Sequence, residues 1–378
     1  MAQLPESQLL SVAEAFHGRD RVTAITPLGN GNVNDTYLVE AAGQRTVLQR
    51  INTAVFRQPE LVMGNLQVLG QHVQTKLSQP PQHCHPLLQQ RRWELPQVVC
   101  TQTDDKAWHC CLEGGFWRTL TYVDGACSVE VIENRTQARE LGEGLGLFHH
   151  LISDLPVEQL ADTLEGFHVT PRYLEAYHRA LVHTQVPADA QTATCMAFIR
   201  EREGFAAVLE QARARGELPL RPIHGDPKIN NVMLDRRDGR AVALIDLDTV
   251  KPGLVHYDIG DCLRSCCNRL GEETRDLQAV AFDLDLAAAI LEGYFAVARD
   301  FLSAAEVRYI PDAARLISFE LGLRFFTDHL NGNTYFRTDR PDHNLERALV
   351  QFQLTASLEA QLPQLRTLVE ELARQPAR

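Results

Sequence analysis

The 378-residue chain has no apolar run approaching the roughly 20 residues that a membrane-crossing helix needs, so no membrane partner is expected. Residues 1–7 carry no basic region ahead of an apolar stretch, and a signal peptide is not expected. Positive charge is scarce, with 37 Lys and Arg against 49 Asp and Glu and a net charge of −12. Affinity for nucleic-acid phosphates comes largely from clustered cations, so this composition excludes a general DNA or RNA binder. It does not exclude a single nucleotide, because a local cation and metal ions can override the overall field. The nine cysteines are odd in number and form no regular framework, which points to a reducing cytoplasm rather than a disulfide scaffold. His83-Cys84-His85 and His109-Cys110-Cys111 lack the two-residue spacing of zinc ligands and have no partner pair. Cys262, Cys266 and Cys267 read as small core residues of a helix. There is no internal repeat and no low-complexity tract.

Hydrophobic residues make up 44% of the chain, enough for real cores, and the length suggests two domains or lobes. The first part alternates. A helix is expected over 6–16, strands over 21–26, 36–40 and 45–51, a helix over 59–77 stopped by Pro80-Pro81, and short strands over 97–101, 107–112 and 116–123. On the helix over 59–77, Leu61, Val62, Leu66, Leu69 and Val73 share a face. After the turn at Asp124-Gly125, helical periodicity takes over at 129–151, 171–183, 195–215, 258–270, 284–299, 304–330 and 344–373. Only 221–250 is β-like there. The expectation is an α+β chain with a small β-rich N-terminal lobe, 1–122, and a larger, mainly helical C-terminal lobe, 123–378, with a hairpin embedded in it.

That hairpin carries the chemistry. Ile223-His224-Gly225-Asp226-Pro227-Lys228-Ile229-Asn230-Asn231-Val232-Met233-Leu234-Asp235 is a polar loop between apolar flanks, and Ala243-Leu244-Ile245-Asp246-Leu247-Asp248-Thr249 is an apolar segment ending in acids. Phosphoryl transfer needs a carboxylate to orient the attacking hydroxyl, with an amide and a second carboxylate to hold magnesium on the nucleotide phosphates. Asp226 suits the first role, and Asn231 and Asp246, both hard oxygen donors, suit the second. Asp248, two residues on, would share a side with Asp246 if the strand continues. Two carboxylates on one side repel unless a cation sits between them, and a bond from Asp248 to the following turn is an equal alternative. His224 is expected to hold the loop's shape through backbone bonds rather than to act as a base. Lys228 either reaches the transferred phosphate or is solvated.

These segments resemble the catalytic core of the aminoglycoside phosphotransferase and choline kinase superfamily. Ile245 to Gly253, Tyr257-Asp258-Ile259-Gly260-Asp261 and Arg324 to Phe336 are similar to bacterial N-acetylhexosamine 1-kinases, as are Gly29 to Thr36 and Leu48 to Asn52. The resemblance implies a protein-kinase-like two-lobe fold and ATP- and Mg2+-dependent phosphorylation of a small molecule, most closely the anomeric hydroxyl of an amino sugar. A kinase of an aminoglycoside, choline or another sugar is the alternative, and a non-catalytic nucleotide-binding module is the reading outside enzymology.

The resemblance also assigns residues. Gly29 and Gly31 would bring backbone N–H groups to the phosphates, with Asn32 and Asp35 overhanging the acceptor. Thr121 and Val123 at the lobe junction would meet adenine. Asp248, Arg324 and Tyr335 would line the acceptor site. Related kinases carry a Lys on the third strand, but Thr46-Val47-Leu48-Gln49-Arg50 has none. Gln49 occupies the place. Arg50 supplies the positive charge if the strand is twisted or bulged there; otherwise neutralisation falls on magnesium. Glu60 is either an ion-pair partner or a carboxylate favoured at a helix N-terminus. Asp258 is expected chiefly to cap the helix after it, with Asp261 in the first turn, and secondarily to brace the catalytic loop.

Overall fold

The computed structural model describes residues 5–29, 33–80, 84–110, 115–187 and 189–375. The N-terminal lobe runs α1 (Glu6–His17), β1 (Val22–Pro27), β2 (Asp35–Ala41), β3 (Gln44–Ile51), α2 (Pro59–Leu77), the short α3 (Pro86–Gln89), β4 (Val98–Val99), β5 (His109–Cys110) and β6 (Phe116–Thr121). Its strands make one antiparallel sheet in the order β1-β2-β3-β6-β4, with β5 also paired to β6. Strand alternation puts Val39, Leu48 and Trp117 on one face, beneath Leu9, Val12 and Phe16 of α1. Ile51, Phe116 and Leu120 join the core that contains α2. The α2 stripe is Val62, Leu66, Leu69 and Val73; Leu61 lies off it and is 38% exposed. The strand expected over 107–112 contracts to His109–Cys110, and Cys111 and Leu112 lie outside the described residues.

The C-terminal lobe runs β7 (Ala126–Cys127), α4 (Arg135–Ile152), α5 (Thr170–His183), α6 (Ala190–Arg202), α7 (Val208–Ala214), β8 (Arg221–Ile223), β9 (Val232–Asp235), β10 (Ala241–Leu244), β11 (Lys251–Gly253), α8 (Val255–Cys266), α9 (Leu284–Ala298), α10 (Ala304–Arg308), α11 (Ile310–Leu330) and α12 (His343–Arg374). No helix among the described residues is long and apolar enough to cross a membrane.

Four helices differ from their sequence patterns; the one expected over 258–270 runs from Val255 to Cys266, and the other three differ for local reasons. The helix expected from residue 129 starts at Arg135, because the Asn134 side chain accepts the Gln137 N–H at 2.9 Å and caps it there. The helix expected over 195–215 starts at Ala190 behind the Asp189 cap and breaks at Glu203–Phe205, around Gly204. The helix expected over 304–330 divides at Tyr309. A Ser303–Glu306 capping box starts its first piece, and Pro311 has no N–H with which to continue that piece, so it sits in the first turn of α11 instead.

Three glycines in α4 let it act as a wedge beneath the catalytic hairpin. Gly142 and Gly146, one turn apart, face α9: a Cβ on Gly142 would lie 1.9 Å from the Ile290 carbonyl oxygen, and one on Gly146 3.0 Å from Val297 Cβ. Gly144, about 200° around the helix from Gly142, faces the other way, where a Cβ would lie 2.9 Å from Ala241 Cβ of β10 and 3.3 Å from Val232 Cγ1 of β9. Gly293 of α9 answers from its side, with Arg139 O only 2.1 Å from where its Cβ would stand. Helix backbones therefore touch each other and the hairpin. Gly142→Ala is expected to lower stability by about 3 kcal/mol, the upper range for overpacking against backbone. Chemical denaturation measures it, and a variant as stable as the parent would mean that the two helices do not meet at this spacing.

Candidate active site

The loop after β8 is shaped by backbone contacts. Gly225 has φ +88°, and a Cβ there would come within 2.7 Å of Thr249 O, so only glycine fits. Thr249 Oγ1 donates to His224 O at 2.7 Å. His224 is buried, its Nδ1 accepting the Asp226 N–H at 3.2 Å and its Nε2 donating to Ile245 O at 3.0 Å. Burial lowers its pKa, so the ring is neutral and braces the loop, as its surroundings in the sequence suggest.

Asp258 corrects an expectation. Helix α8 begins at Val255, so Asp258 lies inside its first turn and does not cap it. Its carboxylate accepts the backbone N–H of His224 at 2.7 Å and of Gly225 at 2.8 Å, and His149 Nε2 donates to it at 2.8 Å. Tyr294 hydroxyl closes the chain by donating to His149 Nδ1 at 2.9 Å. Burial alone would raise the Asp258 pKa; the bond from His149 and the loop N–H groups outweigh it and hold the carboxyl below its ordinary range. Asp261 pairs with Arg264 at 2.8 Å. A second brace comes from His168, whose Nε2 donates to Gly225 O and whose Nδ1 donates to Glu320, both at 2.8 Å. Burial opposes its charge, but Glu320 raises its pKa, and with acceptors on both nitrogens the ring is an imidazolium.

Asp226, Asn231 and Asp246 come together through these contacts. Ile245 N–H donates to Asn231 O at 2.9 Å, which ties the second motif to the first. Asn231 Nδ2 donates to Asp226 O at 2.7 Å, and its Oδ1 makes no hydrogen bond among the described residues. Lys228 Nζ pairs with Asp226 Oδ2 at 2.9 Å. Burial works against ionisation of Asp226, and Lys228 more than compensates, so the carboxyl titrates below its usual value. Strand β10 ends at Leu244. Asp246 is left-handed at φ +63° and is followed by a 3-10 turn at Leu247–Thr249, so Asp246 and Asp248 do not share a strand face as expected. The Asp246 carboxylate opens onto the cleft with no partner among the described residues. Desolvation by the surrounding chain, together with the Asp248 and Asp226 charges, pushes its pKa up to about 6 despite Lys228. The exposed Asp246 carboxylate and the buried Asn231 amide oxygen, neither with a partner among the described residues, suit a hard divalent cation that takes its remaining ligands from water and phosphate, and the nearby charges of Asp226 and Asp248 favour it.

Asp248 is held by a cation from the other lobe, Arg118. One carboxylate oxygen is ion-paired with Arg118 of β6, and the other accepts Asn34 Nδ2 at 2.6 Å. Arg118 is 1% exposed and also donates through Nε and Nη2 to Gln49 Oε1 at 3.0 and 2.7 Å. Strand β3 pairs in unbroken register with β2 and β6, without the bulge that would bring Arg50 to the face of Gln49. Arg50 instead faces its cross-strand neighbour Asp35, donating from Nε at 2.8 Å. Glu60 is exposed in the first turn of α2, with no ion pair among the described residues.

Gly29 adopts φ +69° at the end of β1, while Gly31 and Asn32 lie outside the described residues. At the lobe junction the Thr121 N–H donates to Gln97 O at 2.9 Å, and Val123 is buried, its backbone groups making no hydrogen bond among the described residues. At the far end, Arg324 lies over three rings, Phe167 at 5.2 Å, Tyr173 at 5.0 Å and Phe336 at 5.5 Å. No carboxylate among the described residues pairs with it, and burial, which opposes its charge, is outweighed by fields that include Tyr335 and Asp226. Tyr335 is 57% exposed. Asp328, near the end of α11, accepts the N–H groups of Thr334 and Tyr335 on one oxygen and of Phe336 on the other, at 2.8 to 2.9 Å, and so folds this loop back toward Arg324.

Sequence reasoning missed Arg118, Asn34, His149 and His168. Arg118 had left a signal, a lone cation in the apolar strand Phe116-Trp117-Arg118-Thr119-Leu120, which calls for a buried partner. The others left none.

Because the folded Asp258 pKa is depressed, its stabilising contribution is complete above the unfolded carboxyl pKa near ~4 and is lost as pH falls through the folded value. Asp258→Asn is expected to cost about 3 kcal/mol at neutral pH, and less as the pH approaches ~3. Denaturant melts of both proteins at the two pH values check this; a pH-independent difference would show that the Asp258 charge contributes nothing.

The whole chain superimposes on solved phosphotransferases. An aminoglycoside phosphotransferase from Alicyclobacillus acidocaldarius subsp. acidocaldarius matches at 17% identity and TM-score 0.63, over 98% of each chain. A choline kinase from Cryptosporidium parvum Iowa II matches at 11% identity and TM-score 0.60, over 95% of this chain and 97% of the other. A spectinomycin phosphotransferase, solved with ADP and spectinomycin, matches at 12% identity and TM-score 0.56, over 96% of this chain and 100% of the other. At these identities the fold is what is shared. The sequence profile of the phosphotransferase enzyme family spans residues 24–297, well over half of the chain and the entire hairpin with its partners, and the protein therefore belongs to that family.

Proposed function

We propose that the protein transfers the γ-phosphoryl group of ATP to the anomeric hydroxyl of an N-acetylhexosamine, giving the sugar 1-phosphate and ADP, and that it does so in the cytoplasm. Membership of a phosphotransferase family supports the reaction class. The observation that carries the acceptor class is Arg324, a guanidinium with no carboxylate paired to it among the described residues and boxed by Phe167, Tyr173 and Phe336. Its N–H groups suit a neutral acceptor with carbonyl and hydroxyl oxygens, such as an N-acetyl sugar, and oppose a cationic one such as choline or an aminoglycoside. The rings, with Tyr335 at the rim, suit the apolar face of a pyranose.

In this reading Asp226 accepts a hydrogen bond from the attacking hydroxyl and aims it at the γ-phosphorus. The new O–P bond forms as the bond to the β–γ bridging oxygen breaks, ADP leaves, and the hydroxyl proton passes to Asp226 and then to solvent. A carboxylate kept below its normal pKa is a weak base, so its contribution is chiefly orientation, with proton acceptance late. Lys228, now paired with Asp226, is close enough to share its charge with the transferred group. Asn231 Oδ1 and Asp246 would hold Mg2+, which when bound neutralises charge on the phosphates. Adenine would lie against Thr121 and Val123, and the phosphates under the turn containing Gly29 and Gly31. Asn32 and Asp35 would reach the acceptor from above. Because Asp35 pairs with Arg50, that contact requires the ion pair to be shared or to open on binding, and the same holds for Arg50 as a phosphate contact. Asp248, engaged on both oxygens, meets the acceptor only through a further lone pair.

Asp226→Asn is expected to lower turnover by about 10²- to 10⁴-fold while ATP binding persists. Unchanged turnover would remove Asp226 from the reaction. Arg324→Met is expected to raise the acceptor KM about 10- to 100-fold with the ATP KM unchanged. The deciding assay measures ADP release with ATP and Mg2+ against N-acetylhexosamines, other sugars, aminoglycosides and choline. Turnover confined to N-acetylhexosamines, with an acid-labile, alkali-stable product, supports the reading; turnover on a cationic acceptor instead overturns the pocket.

A further inference from the structure

The third strand carries Gln49 where related kinases place a phosphate-gripping lysine, and the cation bonded to that glutamine comes from the neighbouring strand. Gln49 of β3 and Arg118 of β6 are direct cross-strand partners. The glutamine side chain spans three strands: its Oε1 accepts from Arg118 Nε and Nη2, and its Nε2 donates to Thr36 Oγ1 of β2 at 3.1 Å. Arg118 Nη2 also pairs with Asp248, two residues beyond Asp246. The guanidinium is thus oriented from two sides by Gln49 and Asp248. Its remaining nitrogen, Nη1, is buried and has no hydrogen-bond partner among the described residues.

A buried guanidinium normally satisfies all its donors, and an orphan N–H in a folded protein calls for an explanation. Here Nε and Nη2 are committed to fixed acceptors, leaving Nη1 as the free corner of a planar fork that matches phosphate oxygens. We propose that Arg118 takes the place of the strand lysine, and that the acceptor its Nη1 lacks is a phosphate oxygen of the bound nucleotide. Gln49 becomes a positioning residue that aims the arginine. Asp248 has a twofold part, holding the cation near the phosphates and keeping its charge balanced when the nucleotide is absent. The inference rests on the phosphotransferase reading above.

A simple latch between lobes would also bury Arg118, so the test separates a phosphate contact from a structural one. Affinities of adenosine, ADP and ATP, with Mg2+, are measured by calorimetry for the full-length parent, Arg118→Met and Arg118→Lys. The Met variant is expected to bind ADP and ATP about 10- to 100-fold more weakly and adenosine within about 2-fold of the parent. The Lys variant keeps a charge opposite Asp248 but cannot offer the fork, and should fall between them. ADP and ATP affinities unchanged in the Met variant would overturn the proposal, and so would an equal loss for adenosine, which marks a latch. If the Met variant does not fold, the Lys variant decides: weaker ATP with unchanged adenosine supports the phosphate contact, and unchanged ATP overturns it. A parent that binds none of the three would remove the phosphotransferase reading and this inference together, whereas a parent that binds and a Met variant that does not differ removes the inference alone.

Discussion

One buried carboxylate, that of Asp258, sets the geometry of the catalytic loop. A loop that turns through Gly225 leaves successive backbone N–H groups pointing inward, where no strand can pair with them, and buried N–H groups without acceptors are costly. Asp258 accepts both, at His224 and Gly225, and is itself kept ionised by His149. His168 takes the carbonyl of the same glycine. With its backbone gripped on both sides, the loop has little freedom, and Asp226 follows at a defined angle. This is preorganisation in its plain sense: the groups that do chemistry sit on a frame whose polar atoms are already satisfied.

The lobes are joined at the same place by polar contacts rather than by apolar packing alone. Asp248 is shared by Arg118 and Asn34 of the N-terminal lobe, and Asn65 of α2 donates to Val250 O and to Ala161 O, both at 2.8 Å. The ties to Asp248 and Val250 end within a few residues of Asp246. Removing one partner of a buried pair strands the other, at a cost of about 3–5 kcal/mol, so these contacts hold a narrow range of lobe separations. Apolar contact is non-directional and would tolerate sliding. A cleft that must place a phosphate chain between two lobes gains from the directional kind.

The acceptor end is assembled by a different device. Asp328 gathers the backbone of residues 334–336 and so brings the Phe336 ring over Arg324, on the same helix as Asp328. Below the hairpin, the glycines of α4 let a helix backbone lie directly against α9 on one side and β9–β10 on the other. The carboxylate frame, the cross-lobe ties and the loop at the end of α11 thus act on one cleft from three directions.

The element order and the Asp226, Asn231 and Asp246 set were legible in the sequence, because periodicity, turn residues and motif spacing are local properties of the chain. So were the exact span of α2 and the loop-holding character of His224. Helix ends at residues 134, 204 and 309 were misread where a side-chain cap, a glycine or a proline outweighed apolar spacing. The brace by Asp258 was foreseen as its second role, but its His149 partner, the Arg118–Asp248 pair, the separation of Asp246 from Asp248 by a left-handed turn and the aromatic box around Arg324 belong to the tertiary structure alone. Each joins residues far apart in the chain or depends on a backbone angle, and which buried charge finds which partner is decided only when packing removes water from both.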